Sequence, residues 1–180
     1  RGTIGGTLSH SEPAGDLPAV ALALGAQLTT SSSGAHRTIS ADDFFVDLLT
    51  TALEPNEILS EIVIPALPAG TGTAYAKFAN KASHYAVVGV AAVVTVGSDG
   101  TCQSARIGIT GAGPKATRAT GTESALVGSN LDDSAVRAAA SHAGDGIDFN
   151  EDVHASGEYR AHLISVYAAR AIRAAVENAS

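Results

Sequence analysis

The chain has 180 residues, 45% of them hydrophobic and only 4% aromatic, with no Met or Trp, so its length allows one domain or two small ones with an aliphatic core. Eleven basic and eighteen acidic side chains give a net charge of −7 without a Lys/Arg run, which argues against nucleic acid or an anionic membrane as a partner. The single cysteine, Cys102, excludes an internal disulfide and a cysteine-based metal cluster, and no metal site is expected from the scattered His residues.

Short elements are predicted in the first third of the chain. Asp16-Leu17-Pro18 followed by an apolar run predicts a short helix that ends at Gly25, because an acidic cap, a first-turn proline and a terminal glycine frame it. The other elements predicted here are strands over Ala26–Thr30 and Arg37–Ile39, a helical turn capped by Ser40, and a strand over Glu57–Ile64 that ends at Pro65.

The segment from Pro65 to Gly72 contains two prolines and two glycines and is the best internal boundary. Beyond it, strands are predicted over Ala74–Asn80, Val87–Val96 and Thr101–Thr110, with a hairpin turn over 97–100. Helices are predicted over Thr120–Leu126, Asp132–His142 and Tyr159–Val176, the last with an apolar stripe of Leu163, Val166, Tyr167, Ala171 and Ala174. An antiparallel meander covered by helices follows from this order.

The first candidate for chemistry is Thr3-Ile4-Gly5-Gly6-Thr7. The pyrophosphate of a dinucleotide needs backbone amides brought close to it, and residues without a Cβ allow that approach. The hydroxyls of Thr3, Thr7 and Ser9 add uncharged donors, so an acidic protein could bind an anion here without Lys or Arg. Two interpretations remain open: a pyrophosphate-binding loop, or a tight turn before a helix.

Asp16 and Tyr85 each allow two roles. The carboxylate of Asp16 could accept hydrogen bonds from ribose or ribityl hydroxyls, or it could serve only as a helix cap. The ring of Tyr85 could cover a flat cofactor, or it could be a rim residue of the strand that starts at Ala86.

Read together, a series of segments resembles the FAD subunits of molybdenum hydroxylases. In chain order they are Arg1–His10 (RGTIGGTLSH), Pro13–Pro18 (PAGDLP), Phe44-Phe45, Glu57–Pro65 (EILSEIVIP), Lys77–Gly89 (KFANKASHYAVVG) and Ser156–Arg160 (SGEYR). The segment from Lys77 resembles carbon monoxide dehydrogenase in particular. The resemblance covers essentially the whole chain in order.

The resemblance implies a set of FAD contacts. Thr3, Ile4, Gly5 and Gly6 would wrap the pyrophosphate, with Thr7, Ser9 and His10 nearby. Asp16 corresponds to the family aspartate, Leu59 to a leucine beside the flavin or adenine, Lys77 to the lysine that opens the next strand, and Tyr85 to the tyrosine covering one face of the isoalloxazine.

The resemblance also implies an α+β fold. Residues 1–68 would be the second half of an FAD-binding domain of the vanillyl-alcohol-oxidase (PCMH) type. Residues 69–180 would form a C-terminal domain with a three-stranded antiparallel sheet and helices. The family subunit carries a second glycine-rich FAD loop of Ala-Gly-Gly type in an N-terminal segment, and this sequence contains no such loop. We therefore expect a separate or cleaved N-terminal segment to complete the site.

The function implied is electron transfer within a complex. Substrate would be oxidised at a molybdenum cofactor in a large subunit, and electrons would cross [2Fe–2S] clusters in a small subunit to FAD here and then to a quinone or other acceptor. We expect an oxidoreductase subunit without catalytic residues of its own, in a dimer of heterotrimers, located in the cytoplasm or at the inner face of the cytoplasmic membrane. The alternatives are another molybdenum hydroxylase, acting on aldehydes, nicotine or N-heterocycles, a self-contained flavin oxidase, and a purely structural module that has lost FAD.

Overall fold

The fold was obtained as a computed structural model that describes residues 2–179. Its helices are α1 (Ile4–His10), α2 (Asp16–Leu24), α3 (Ala41–Phe44), α4 (Thr120–Leu126), α5 (Asp133–Ala140) and α6 (Gly157–Glu177). Its strands are β1 (Gln27–Ser32), β2 (Ala35–Ser40), β3 (Phe45–Asp47), β4 (Thr50–Thr51), β5 (Ile58–Val63), β6 (Thr71–Ala79), β7 (Ala86–Val96), β8 (Cys102–Thr110) and β9 (Thr117–Arg118). Within these residues, no helix has both the length and the apolar character needed to cross a membrane.

The N-terminal part contains a small antiparallel sheet in the order β2-β1-β5. β1 forms a hairpin with β2 and pairs with β5 on its other side, where the register shifts between Thr29 and Thr30. One face of this sheet packs on a compact core that includes Leu8, Leu28 and Phe44. This core attaches α1 to the sheet and so fixes the position of the first turn of α1.

The C-terminal part is an antiparallel sheet in the order β6-β7-β8-β9. Residues 86–94 of the central strand β7 are all buried, as expected for a strand covered on both faces. The long helix α6 covers one face and approaches β6 so closely that a Cβ at Gly72 would collide with the backbone of Ala175. Only glycine permits this backbone-to-backbone contact.

The other face of the same sheet is covered by α2, a helix from the N-terminal part. Its small residues Ala19 and Ala23 pack on Ala91 and Val93 of β7. On β8, a Cβ at Gly108 would collide with the carbonyl of Ala19, so helix and strand meet at backbone distance. α2 therefore joins the two parts of the chain through a tightly packed interface.

The structure confirms the α+β class and the meander of three long strands, and it adds details that the sequence did not predict. The sheet gains a short fourth strand, β9, and a small β3–β4 hairpin lies in the N-terminal part. The predicted apolar stripe of α6 is only partly right, because Val166, Tyr167 and Ala174 are half-buried. The helix instead buries a shifted set of mainly small side chains: Arg160, Leu163, Ile164, Ala168, Ala169, Ala171, Ile172 and Ala175.

The division into residues 1–68 and 69–180 stays a prediction. The stretch between Val63 and Thr71 contains neither helix nor strand, which suits a boundary. However, α2 packs on the C-terminal sheet, so the two parts share an interface as well as a linker.

We predict that Gly108→Ala lowers the free energy of unfolding by about 1–3 kcal/mol, the range for an added group in a fully packed contact. The methyl group would push α2 away from β8, because it would occupy the space of the Ala19 carbonyl. Denaturant unfolding followed by far-UV circular dichroism measures the effect. Gly2→Ala is the matched control, since its Cβ would lie 3.8 Å from the nearest atom, Thr7 Oγ1. Equal stability of the two variants would contradict the close contact.

Candidate functional site

The glycine pair does not form the predicted loop; it lies in the first turn of α1. Thr3 is the N-cap, and its Oγ1 accepts a hydrogen bond from the Gly6 amide at 3.0 Å. The hydroxyl of Thr7 donates to the carbonyl of Thr3, also at 3.0 Å. These cap interactions offset the low helix propensity of two adjacent glycines. The amides of Ile4 and Gly5 precede the first intrahelical bond and point out of the helix end, where they can donate to an anion.

The two glycines have different surroundings. A Cβ built on Gly6 would lie 2.9 Å from Thr3 Oγ1, inside the helix cap, whereas a Cβ on Gly5 would meet no atom within 4 Å. Gly5 thus faces open space beside the free amides, and Gly6 is required by the cap itself.

Next to α1 lies a groove of about 340 Å³. Its walls are the middle of α1, the start of α2 with the segment before it, and the loop before β7. The lining residues are Thr7, Ala14, Gly15, Asp16, Leu17, Ser83, His84 and Tyr85. The groove brings together three of the predicted site residues: Thr7, Asp16 and Tyr85.

The floor of the groove, at residues 13–15, is held by the C-terminal sheet. The buried hydroxyl of Thr110 lies 2.6 Å from the carbonyl oxygen of Pro13 and 2.8 Å from that of Gly15. The amide of Ala86 donates to the carbonyl of Ala14 at 3.2 Å. The ends of β7 and β8 therefore set the position of the segment that leads into α2.

Asp16 lies in the first turn of α2 and is the centre of a polar cluster. The Lys77 ammonium on β6 lies 3.0 Å from Asp16 Oδ1 and 2.7 Å from Oδ2, and the Tyr75 hydroxyl donates to Oδ1 at 2.6 Å. Burial first, and the neighbouring carboxylate second, raise the pKa of Tyr75, so its hydroxyl stays protonated and donates. The Asp16 side chain keeps 43% exposure, so part of the carboxylate remains accessible.

Lys77 also orders the loop that carries Tyr85. Its ammonium donates to the carbonyl of His84 at 3.0 Å. His84 has the left-handed backbone conformation, with φ of 61°, and its amide donates to the carbonyl of Asn80. The ring of Tyr85, at the end of this loop, is 52% exposed. A tyrosine that is both fixed in position and half exposed can stack on a flat ligand.

The remaining predicted residues lie around this arrangement. Ser9 is half-buried in α1, and His10 at its end is exposed, with Nε2 4.0 Å from Glu12 Oε2. Leu59 on β5 is partly buried against the N-terminal core. Tyr75 was missed by sequence reasoning, although its place two residues before Lys77 on one strand puts both side chains on the same face.

A second cavity, of about 350 Å³, shares Ala14, Ser83 and Tyr85 with the groove. Arg160 of α6 lies in its wall, almost fully buried. Its guanidinium donates to the carbonyls of Val87 and Gly111 and pairs with Asp152 at 2.7 Å. This arginine ties the final helix to the strand ends that support the groove.

Comparison with known proteins gives the family. Residues 73–175 match the CO dehydrogenase flavoprotein C-terminal domain, and residues 1–67 match the FAD-binding domain found in molybdopterin dehydrogenases. The chain belongs to this flavoprotein family.

Flavoprotein relatives align over nearly all of the chain. Subunit alpha of the 6-hydroxypseudooxynicotine dehydrogenase complex of Paenarthrobacter nicotinovorans is 37% identical over 99% of the chain. The carbon monoxide dehydrogenase medium chain of Hydrogenophaga pseudoflava is 37% identical over 97%. The chain spans about 60% of the length of these curated relatives.

Solved structures of flavoproteins of this kind have the same fold. A carbon monoxide dehydrogenase from Hydrogenophaga pseudoflava superimposes with a TM-score of 0.95 at 37% identity, covering 100% of this chain and 62% of that one. The quinoline 2-oxidoreductase of Pseudomonas putida 86 gives a TM-score of 0.88 at 31% identity, covering 99% of this chain and 62% of that one.

The groove of this flavoprotein suits the chemistry of FAD. The free amides at the start of α1 lie one turn before Thr7, the residue of α1 that lines the groove. With the hydroxyl of Thr3 they are uncharged donors of the kind that pyrophosphate oxygens accept from. The open space beside Gly5 leaves room for a phosphate at the backbone. Asp16 offers an acceptor for sugar hydroxyls, and Tyr85 offers an aromatic face. Each part of the dinucleotide thus has a complementary group.

We predict that Gly5→Leu weakens FAD binding roughly tenfold, as expected when a charge-assisted hydrogen bond is displaced, without lowering the melting temperature. Leucine is a good helix former and its Cβ would meet no atom within 4 Å, so we expect the side chain to extend into the ligand's space. Flavin fluorescence measures the affinity.

Gly6→Leu is the matched variant, because its Cβ would displace the Thr3 cap and so lower both the affinity and the melting temperature, the cap being worth about 0.5–2 kcal/mol. Undiminished FAD binding by Gly5→Leu would refute the assignment of the α1 amides.

Proposed function

We propose that the chain carries FAD in the medium subunit of a molybdenum hydroxylase complex and passes electrons from the [2Fe–2S] clusters of a small subunit to an external acceptor. The observation that supports this most directly is the groove between α1, α2 and Tyr85, whose donors are uncharged although the protein is acidic. Bound FAD supplies the redox chemistry. The chain's own residues bind it, orient it and limit its contact with water.

The proposed roles follow from the geometry. The amides of Ile4 and Gly5 and the hydroxyl of Thr3 would hold the pyrophosphate, with Thr7 nearby and Gly6 keeping the cap in place. Asp16 would accept from ribose or ribityl hydroxyls, Lys77 would hold both Asp16 and the Tyr85 loop, and Tyr85 would cover the isoalloxazine. Ser9 and His10 at the end of α1, and Leu59 on β5, are proposed as peripheral contacts.

The substrate of the complex is proposed to be carbon monoxide. The family match carries the name of CO dehydrogenase, and a medium chain of that enzyme is 37% identical. A second candidate is an N-heterocyclic compound, since the 6-hydroxypseudooxynicotine dehydrogenase subunit has the same identity over a slightly longer alignment. Assays of the purified complex with carbon monoxide and with nicotine derivatives distinguish the two.

The proposed partners are a large molybdenum subunit and a small iron–sulfur subunit, assembled as a dimer of heterotrimers. The names of the relatives support a multi-subunit complex, because one relative is a medium chain and another is subunit alpha of a complex. The proposed acceptor is a quinone, with the complex in the cytoplasm or at the inner face of the cytoplasmic membrane. A self-contained flavin oxidase would elute alone on gel filtration.

The visible absorption spectrum of the native complex tests the proposal. Flavin bands together with iron–sulfur absorption, and molybdenum by elemental analysis, are expected in one particle. Flavin without iron and molybdenum would favour the flavin oxidase, and a complex without flavin would refute the proposed function.

We predict that Tyr85→Ala weakens flavin binding about two- to tenfold, because aromatic stacking contributes roughly 0.5–1.5 kcal/mol. The flavin reduction potential should shift as well, since water reaches the exposed face. Substrate oxidation with an artificial acceptor that draws electrons from the molybdenum or iron–sulfur centres should survive.

Tyr85→Phe is the control for this prediction, because it keeps the ring and should retain normal flavin affinity. Loss of the artificial-acceptor activity in Tyr85→Ala would show that Tyr85 serves something other than a flavin site.

A further inference from the structure

Tyr75 lies outside the set of flavin contacts described above, yet it makes a short hydrogen bond at the groove. Its hydroxyl donates to Asp16 Oδ1 at 2.6 Å, across the interface between β6 and the first turn of α2. To reach Asp16, the phenol crosses β7 at Gly89, where a Cβ would collide with the Tyr75 hydroxyl. A glycine inside a buried strand marks a close approach of this kind.

The hydrogen bonds restrict how Asp16 can present its carboxylate. Oδ1 accepts hydrogen bonds from Tyr75 and Lys77, and Oδ2 accepts one from Lys77. A carboxylate has about four acceptor positions, so these three bonds leave room for roughly one more. Since Lys77 contacts both oxygens, it neutralises the charge without selecting one oxygen. Tyr75 donates to Oδ1 alone, so the two oxygens of Asp16 differ in their hydrogen bonds. The remaining acceptor position is then on Oδ2.

We propose that Tyr75 is a positioning residue for the flavin, acting through Asp16: its hydroxyl fixes the carboxylate so that Oδ2 accepts from a ribose or ribityl hydroxyl of FAD. The inference rests on the proposed function, because it assumes that FAD occupies the groove. A tyrosine suits this task because its raised pKa keeps it a neutral donor that adds no charge beside the cofactor. Lys77 alone would restrain the plane of the carboxylate less, because a single ammonium that contacts both oxygens defines only one direction.

A double-mutant cycle in the full complex tests this. Tyr75→Phe removes only the hydroxyl and keeps the ring over Gly89, and Asp16→Ala removes the group through which Tyr75 is proposed to act. FAD is removed and titrated back into the complex, with flavin fluorescence giving Kd, redox titration giving the midpoint potential and thermal denaturation giving the melting temperature. Tyr159→Phe makes the same chemical change on α6, where the ring packs against Phe78, and serves as the control.

We expect Tyr75→Phe to raise Kd about tenfold, the effect of one hydrogen bond to a charged group, and to shift the midpoint potential. In the Asp16→Ala background the same substitution should change neither quantity, and Tyr159→Phe should change neither in any background.

An equal rise in Kd with and without Asp16, or a change in melting temperature alone, would overturn the proposal and leave Tyr75 as a structural contact. An unchanged Kd in Tyr75→Phe would do the same. These failures differ from failure of the proposed function, in which the native complex contains no flavin at all.

Discussion

The contact between the backbone of α2 and β8 at Gly108 determines where the groove lies. Because no side chain separates helix and strand, the start of α2 is brought down onto the C-terminal sheet. Asp16 in that first turn then comes within hydrogen-bonding distance of Lys77 on β6. A larger residue at position 108 would raise the helix and carry Asp16 away from its partners. The groove is thus built across both parts of the chain rather than within one.

An acidic protein that binds an anionic dinucleotide needs a source of attraction other than net charge. The charge of Lys77 is offset by Asp16, and Arg160 is held by a carboxylate and two carbonyls in the interior. Each of these cations is already paired with a carboxylate, so it contributes geometry more than free charge. The backbone amides of Ile4 and Gly5 and the hydroxyl of Thr3, at the start of α1, are uncharged donors. Uncharged donors can bind the pyrophosphate at close range without attracting other anions from solution over long distances.

Much of the fold could be predicted because local signals agree with the tertiary structure. The bounds of α4 are those predicted from its periodicity, and α2 begins at Asp16 and ends before Gly25 as expected. The acidic cap was wrong, because Gly15 is the N-cap and the Asp16 carboxylate accepts from Lys77 and Tyr75 instead. The glycine pair was predicted as a loop or turn because glycine has a low helix propensity. The Thr3 cap that stabilises the helix there depends on a single hydroxyl. The buried face of α6 was predicted in a shifted position. Alanines fill the closest contact with the sheet, and they have little weight in a hydrophobic pattern.

Candidate site residues could be named from the sequence where a family motif is continuous, as for Thr3 and Asp16, and their contacts with FAD stay predictions. A role that depends on a contact between distant strands is harder to predict. Tyr75 meets Asp16 across 59 positions of the chain, and no periodicity within β6 indicates that partner. Gly89 and Gly108 carry the same kind of information, since each marks a place where two elements touch. A glycine inside a strand is therefore a signal of tertiary contact that a pattern of apolar residues does not contain.

The attachment of residues 13–15 to the strand ends has a consequence for hydrogen exchange. The amides of Ala86 and Gly111 donate to carbonyls of that segment, and both belong to the buried ends of the central strands. Loosening the floor of the groove therefore requires these strand ends to separate, which is an opening of the core rather than of a surface loop. We therefore expect the amides of Ala86 and Gly111 to exchange as slowly as those of the central strands, so that the floor of the groove is among the last parts of the molecule to open.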